Sequence, residues 1–211
     1  MDYKMRDYKK GQVAVWFIVA FVVSALIMLI FFVSKKPVTG GIDETNPRTI
    51  IEKCARESVN EAVDKMIPQG GFVEPVNYKL YKNIKIAYLC QNVGYFKTCI
   101  NQHPLLLNEM KAEIIKYAEP RIEQCFLNMK KELEKSRNAV EFGSMMINVS
   151  FASNRVFLDI ERKIVITKDE QRRSFEKYNI EINNPLYDLG KVAIEVANQE
   201  AKYCYFEYVG Y

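Results

Sequence analysis

Residues 145–167 read MMINVSFASNRVFLDIERKIVIT, and this stretch decides the fold. From Met145 to Phe151, and again from Val156 to Thr167, apolar and polar side chains alternate, the period of a strand with one buried face. Ala152-Ser153-Asn154 between the two runs supplies turn residues, so the pair reads as an antiparallel hairpin. Phe175 to Ile182 adds a third strand, and Asp169-Glu170, set among Lys168, Arg172 and Arg173, is the solvated end of a hairpin. Pro185 ends the sheet. Tyr187 to Tyr208 then returns to helix, with Leu189, Val192, Ala193, Val196, Ala197 and Ala201 as its apolar stripe.

Working outward toward the N-terminus, the period changes. Asn46-Pro47 opens a helix, with Asn46 as cap and the proline in the first turn. Ile51, Ala55, Val59, Ala62, Val63 and Met66 recur at the spacing of a buried stripe, and Pro68-Gln69-Gly70-Gly71 stops it. In residues 72–90 the best strand is Ile84 to Cys90. His103-Pro104 begins a second helix through Leu107, Met110, Ile114, Ile115 and Tyr117. Pro120 interrupts that helix, and a further one carries Ile122, Cys125, Phe126, Met129 and Leu133. Helices, then an antiparallel meander, then a closing helix define an α+β domain, expected over residues 48–211.

The whole chain holds 30 basic and 26 acidic residues. Residues 1–33 contain four of the basic and two of the acidic ones, so the remainder stands at 26 against 24. That mixed, nearly neutral balance lacks the electrostatic footprint of a nucleic-acid binder. No phosphate-binding Walker loop, nucleophile elbow or dinucleotide fingerprint occurs in the sequence. His103 is the only histidine, stands before a proline at a helix start, and reads as a boundary residue. There is no C-x-x-C pair, so the sequence gives no reason to expect a metal or a cofactor.

Val13 to Val33 is an unbroken apolar run, VAVWFIVAFVVSALIMLIFFV, with Ser24 as its one clearly polar member. At roughly 1.5 Å per residue it spans a hydrocarbon core of about 30 Å, so it is expected to be a single membrane helix. Lys4, Arg6, Lys9 and Lys10 precede it, diluted by Asp2 and Asp7, against Lys35 and Lys36 behind it. Retention of positive charge on the cytoplasmic side places residues 1–12 inside as a basic leader and the domain outside. Residues 34–47 form a stalk. A cleavable secretory signal is the competing reading, but it is normally shorter and ends in an A-x-A-like site that is lacking here.

Lys9-Lys10-Gly11-Gln12, directly before that helix, resembles the class III signal peptide of archaeal type IV pilin-like proteins. The resemblance covers about the first 25 residues. It implies cleavage on the cytoplasmic side between Gly11 and Gln12, with the freed helix serving as anchor and as filament core. Many pilins carry Glu five residues into the mature chain; here that position is Trp16, which weighs against filament assembly more than against processing. Trp16 also suits an aromatic anchor at the membrane edge. The rest of the chain resembles uncharacterised exported archaeal proteins, which implies no activity.

Five cysteines stand at 54, 90, 99, 125 and 204, all on the expected outer side, where disulfides persist. Cys90 and Cys99 flank a short step containing Gly94, which a disulfide would close. Cys54 and Cys125 lie on helix stripes and either staple two helices or are buried as small hydrophobes. The odd count leaves one thiol free or bridging two chains, and Cys204 is the candidate. Asn148-Val149-Ser150 is the one glycosylation sequon. The final segment, EAKYCYFEYVGY over 200–211, is rich in tyrosine and suits either a buried helix face or a partner surface.

The sequence therefore leads to two expectations. One is a pilin-like surface protein, structural or adhesive, that touches copies of itself. The other is an uncleaved, anchored binding module or accessory subunit of an envelope or secretion complex. Both are non-catalytic and use the bilayer through residues 13–33, and they differ in self-assembly.

Overall fold

The computed structural model describes residues 46–95 and 97–203, together with Phe21, Val23, Ser24 and Met28. The chain divides into two units, Met1–Gly41 and Ile42–Tyr211. In the first, the four described residues are helical and exposed. The rest of the expected membrane helix lies outside the described residues, as do the leader and most of the stalk. Among the described residues no helix is long and apolar enough to cross a membrane.

The second unit is α+β, with three helices and small antiparallel sheets among its described residues. Helix α1 (Pro47–Met66) begins at the proline, whose missing N–H is no loss in the first turn. Asn46 stands at the cap position but its side chain makes no capping hydrogen bond; its carbonyl accepts the N–H of Thr49 instead (3.2 Å). The expected stripe is buried in full, Ile51 through Met66 having no exposed surface. A short 3-10 turn ends the helix, and Gly70 and Gly71 reverse the chain at φ +77° and +97°, conformations that other residues rarely adopt.

Helix α2 (Leu106–Lys135) runs 30 residues without interruption, so the break expected at Pro120 does not occur. Proline removes one backbone hydrogen bond and crowds the preceding turn. Here one buried row passes straight through it, Met110, Ile114, Ala118, Ile122, Phe126 and Met129, packed on α1 and the sheet. Burying each large apolar side chain in that row contributes roughly 1.5–3 kcal/mol, so the row outweighs one lost hydrogen bond. Arg121 also donates Nη1 to the carbonyl of Tyr117 beside the proline (2.9 Å).

The main sheet is organised around one long strand. Strands β6 (Met146–Ala152), β7 (Arg155–Lys168) and β8 (Gln171–Asn183) form the expected meander. Strand β5 (Ala139–Phe142), which the sequence reading missed, pairs with the far end of β7, while β6 pairs with its near end. Its four residues are too few to show a period. Val156, Leu158, Ile160, Ile164 and Ile166 of β7 face α1 and α2 with Val149, Tyr178, Ile180 and Ile182, and the opposite face carries mainly polar residues beside Phe157 and Val165.

Helix α3 (Leu186–Tyr203) closes the unit, and its expected continuation to Tyr208 lies outside the described residues. Its buried residues are Leu186, Gly190 and Ala197; Leu189 and Val192, expected in the stripe, are 48% and 41% exposed. Gly190 explains the rotation. A Cβ there would fall 2.8 Å from Leu107 Cδ2, so α3 turns its glycine to α2 and lets the backbones approach.

Between α1 and α2 the chain makes two small hairpins in place of the one strand expected over 84–90. Strands β1 (Tyr78–Tyr81) and β2 (Ile84–Ala87) pair with each other, and β3 (Cys90–Asn92) pairs with β4 (Cys99–Asn101). The first hairpin turns at Lys82-Asn83, both at positive φ (46° and 66°), the geometry of a tight two-residue turn.

Candidate functional site

The cysteines form two bridges. Cys54 of α1 joins Cys125 of α2 with Cα atoms 6.5 Å apart, and Cys90 joins Cys99 at 5.5 Å. The helical cysteines are therefore a staple. Cys90 Sγ also lies 3.6 Å from the carbonyl of Ala197, and Asn101 donates to Asn198 (2.9 Å), which ties the second hairpin to α3. Two disulfides fit an oxidising environment outside the cytosol. Gly11, Gln12, Trp16 and Cys204 lie outside the described residues.

His103 sits where a helix begins, its carbonyl accepting the N–H of Leu106 (3.1 Å) and its own N–H bonding Asn101 Oδ1 (2.9 Å). The ring donates Nδ1–H to Glu109 Oε2 (2.5 Å) and packs on Phe72 with centroids 4.6 Å apart. Both ring contacts hold the 72–73 turn and the second hairpin against α2. Asn148 is exposed in β6, on the open sheet face opposite Asp159.

Three features were not anticipated from the sequence. The first joins α1 to α2 through Tyr117, whose hydroxyl donates to Glu61 Oε1 and accepts from Lys65 Nζ (2.5 Å). Arg121 stacks on the same ring, 3.6 Å from its centroid, and reaches Glu61 at 3.7 Å. The Tyr117 hydrogen bond, then Lys65, hold the Glu61 carboxyl below its ordinary range. Tyr117 and Glu61 in turn raise the Lys65 ammonium. Both groups are exposed, so the network is a polar clasp across the helix pair. It borders an open cleft of about 240 Å³ lined by Val73, Glu74, Glu113 and Lys116.

The second is Arg162, 8% exposed, at the register shift in β7 between Glu161 and Ile164. Its guanidinium forks onto the Glu123 carboxylate, donates Nε to the Gly143 carbonyl (3.1 Å), and lies between the rings of Phe126 and Phe142. An arginine on the inward parity of VFLDIERKIVI was visible in the sequence, but its partner on α2 was not. Nearby, the Tyr178 hydroxyl has no hydrogen-bond partner among the described residues, and burial pushes its pKa up.

The third is the surface of the double-hairpin segment. Val76, Leu80, Tyr81, Val93, Tyr95 and Ile100 are each more than half exposed there. Among the described residues no group of three or more metal-ligating side chains converges. Bridges, clasps and an exposed apolar segment characterise this disulfide-stapled α+β domain. No family model, curated protein or solved structure matches the chain.

Proposed function

We propose that this chain is a membrane-anchored cell-surface protein, pilin-like in its leader, that acts through protein–protein contacts. Residues 13–33 anchor it with the N-terminus in the cytoplasm and the α+β domain outside. One observation carries the contact reading: among the described residues of the domain, eight of the fifteen large exposed apolar side chains fall between Val76 and Ile100. Apolar surface concentrated in one short segment is a mark of interaction sites, whereas scattered single residues need no explanation. The two disulfides support the outward placement of the domain.

The second reading, an uncleaved anchored binding module, is favoured by Trp16, which lacks the charge that a pilin uses between neighbouring subunits. Intact mass of the chain from membranes of a host with a prepilin peptidase separates the two. A mature chain starting at Gln12 supports pilin-type processing; one starting at Met1 overturns it and leaves the signal-anchor. Release of the protein by alkaline carbonate would overturn the anchor itself.

A further inference from the structure

Two of the strand edges among the described residues, those of β8 and β1, are treated differently. Beyond β8 there is no further strand among the described residues, but α1 reaches over that edge. Arg48 donates to the carbonyl of Lys177 (2.9 Å) and Arg56 donates to the carbonyl of Glu181. Those arginines occupy backbone acceptors that another strand would need, which is how folded proteins blunt an edge.

Strand β1 has no such cover. Among the described residues it pairs with β2 alone, and all four of its side chains are exposed. Its partner is anchored: Ala87 is 8% exposed and lies at van der Waals distance from where a Gly70 side chain would stand (3.4 Å). An isolated two-stranded ribbon is marginal by itself in water, so a third strand would add both hydrogen bonds and cover.

The side chains state what that strand must be. On one face of the ribbon stand Tyr78 and Leu80, with Lys85 opposite Leu80; on the other stand Lys79 and Tyr81, with Ile84 opposite Tyr81. Residues 75–90 contain three lysines and no acidic residue. Two of the lysines lie over neighbouring tyrosine rings, Lys85 at 5.0 Å from the Tyr78 centroid and Lys82 at 5.3 Å from that of Tyr81. A second copy of β1 brings no carboxylate: in parallel register it sets Lys79 beside Lys79 and antiparallel it sets Lys79 beside Leu80, so neither arrangement neutralises the lysine. Apolar side chains opposite Tyr78 and Leu80, alternating with carboxylates opposite Lys79, complete both faces.

We propose that β1 is a docking edge for an extended segment of a partner protein in which acidic and apolar residues alternate, bound by strand addition. This deepens the contact reading above and rests on it, but it does not depend on the anchor.

The test uses the full oxidised chain in lipid nanodiscs and a fluorescent peptide alternating Glu and Val, read by anisotropy. We expect binding at least about tenfold tighter than for the Lys-Val counterpart, loss of binding when alternate peptide nitrogens are methylated, and reversed charge preference in Lys79→Glu. No binding of the Glu-Val peptide, equal binding of the methylated form, or indifference to Lys79→Glu would each overturn strand addition at β1. A fluorescent Tyr81→Trp (in a W16F chain) quenched by brominated anionic lipid would assign the hairpin to a bilayer and likewise overturn it. Because the N-terminal mass is measured separately, failure here leaves the anchor untouched, and crosslinking to a partner through another surface would leave the contact reading standing.

Discussion

The helix–sheet body and the double-hairpin segment use strands for opposite purposes. In the body, β7 pairs on both sides along most of its length, and one face of it is buried from Val156 to Ile166. In the segment, β1 to β4 are three or four residues long, and Ala87 is the one side chain among them that is buried. The body is held by a contiguous apolar core; the segment is held by a bridge, by His103 and by polar ties to α3. The buried core thus lies in one region while exposed apolar side chains of the described residues collect in the other, and the two are expected to respond separately to substitution.

That separation can be broken most directly at Phe126, which has no exposed surface and packs edge-on against Tyr178 and Phe142. Phe126→Ala should cost about 3–5 kcal/mol and lower the melting temperature by roughly 10 °C or more in thermal denaturation followed by circular dichroism. A shift of a degree or two would mean the core is not continuous through the middle of α2.

Next comes the staple between the helices. Cys54 and Cys125 are 71 residues apart, so their bridge restricts a long loop of the unfolded chain. C54S/C125S should lower global stability by about 4 kcal/mol on the chain-entropy account, measured by denaturant unfolding of the oxidised protein. If the midpoint is unchanged, the core alone fixes the helix pair.

The Cys90–Cys99 bridge spans a separation of nine and tests the segment. Its removal should act locally, by about 2–3 kcal/mol, which is roughly 100-fold faster amide exchange at Gln91 and Ile100 with β7 unchanged. Equal acceleration in β7 would show that the two regions unfold as one.

The smallest effect belongs to the clasp. Tyr117→Phe should let the Glu61 pKa rise toward its ordinary value in an NMR titration, because the phenol is the largest cause of its depression. A carboxyl with a lowered folded pKa contributes stability above its unfolded value, and that contribution is lost as pH falls through the folded one. An unmoved titration would remove Tyr117 from the network.

Much of the body was legible because its elements are long enough to show a period. The α1 stripe, the β6–β7–β8 meander and the turn at Ser153-Asn154 all stand where alternation and turn residues placed them. Short elements hid. Strand β5 and the pairs β1–β2 and β3–β4 bury too little to leave a pattern, and Lys82-Asn83 is a quiet turn signal. The sites follow the same division: five cysteines announced bridges, but Tyr117 meets Glu61 and Arg162 meets Glu123 across gaps of 56 and 39 residues.

By itself, then, the sequence determined the α+β class, the buried stripe of α1 and the antiparallel meander, since local periodicity is a property of neighbouring residues. Tertiary packing decided the rest. It carried α2 through Pro120, turned Gly190 of α3 toward Leu107, and chose Cys54 for Cys125. It also capped the β8 edge with arginines and left β1 open. Each of those outcomes is a sum of contacts between segments distant in the chain, and such sums have no local signature.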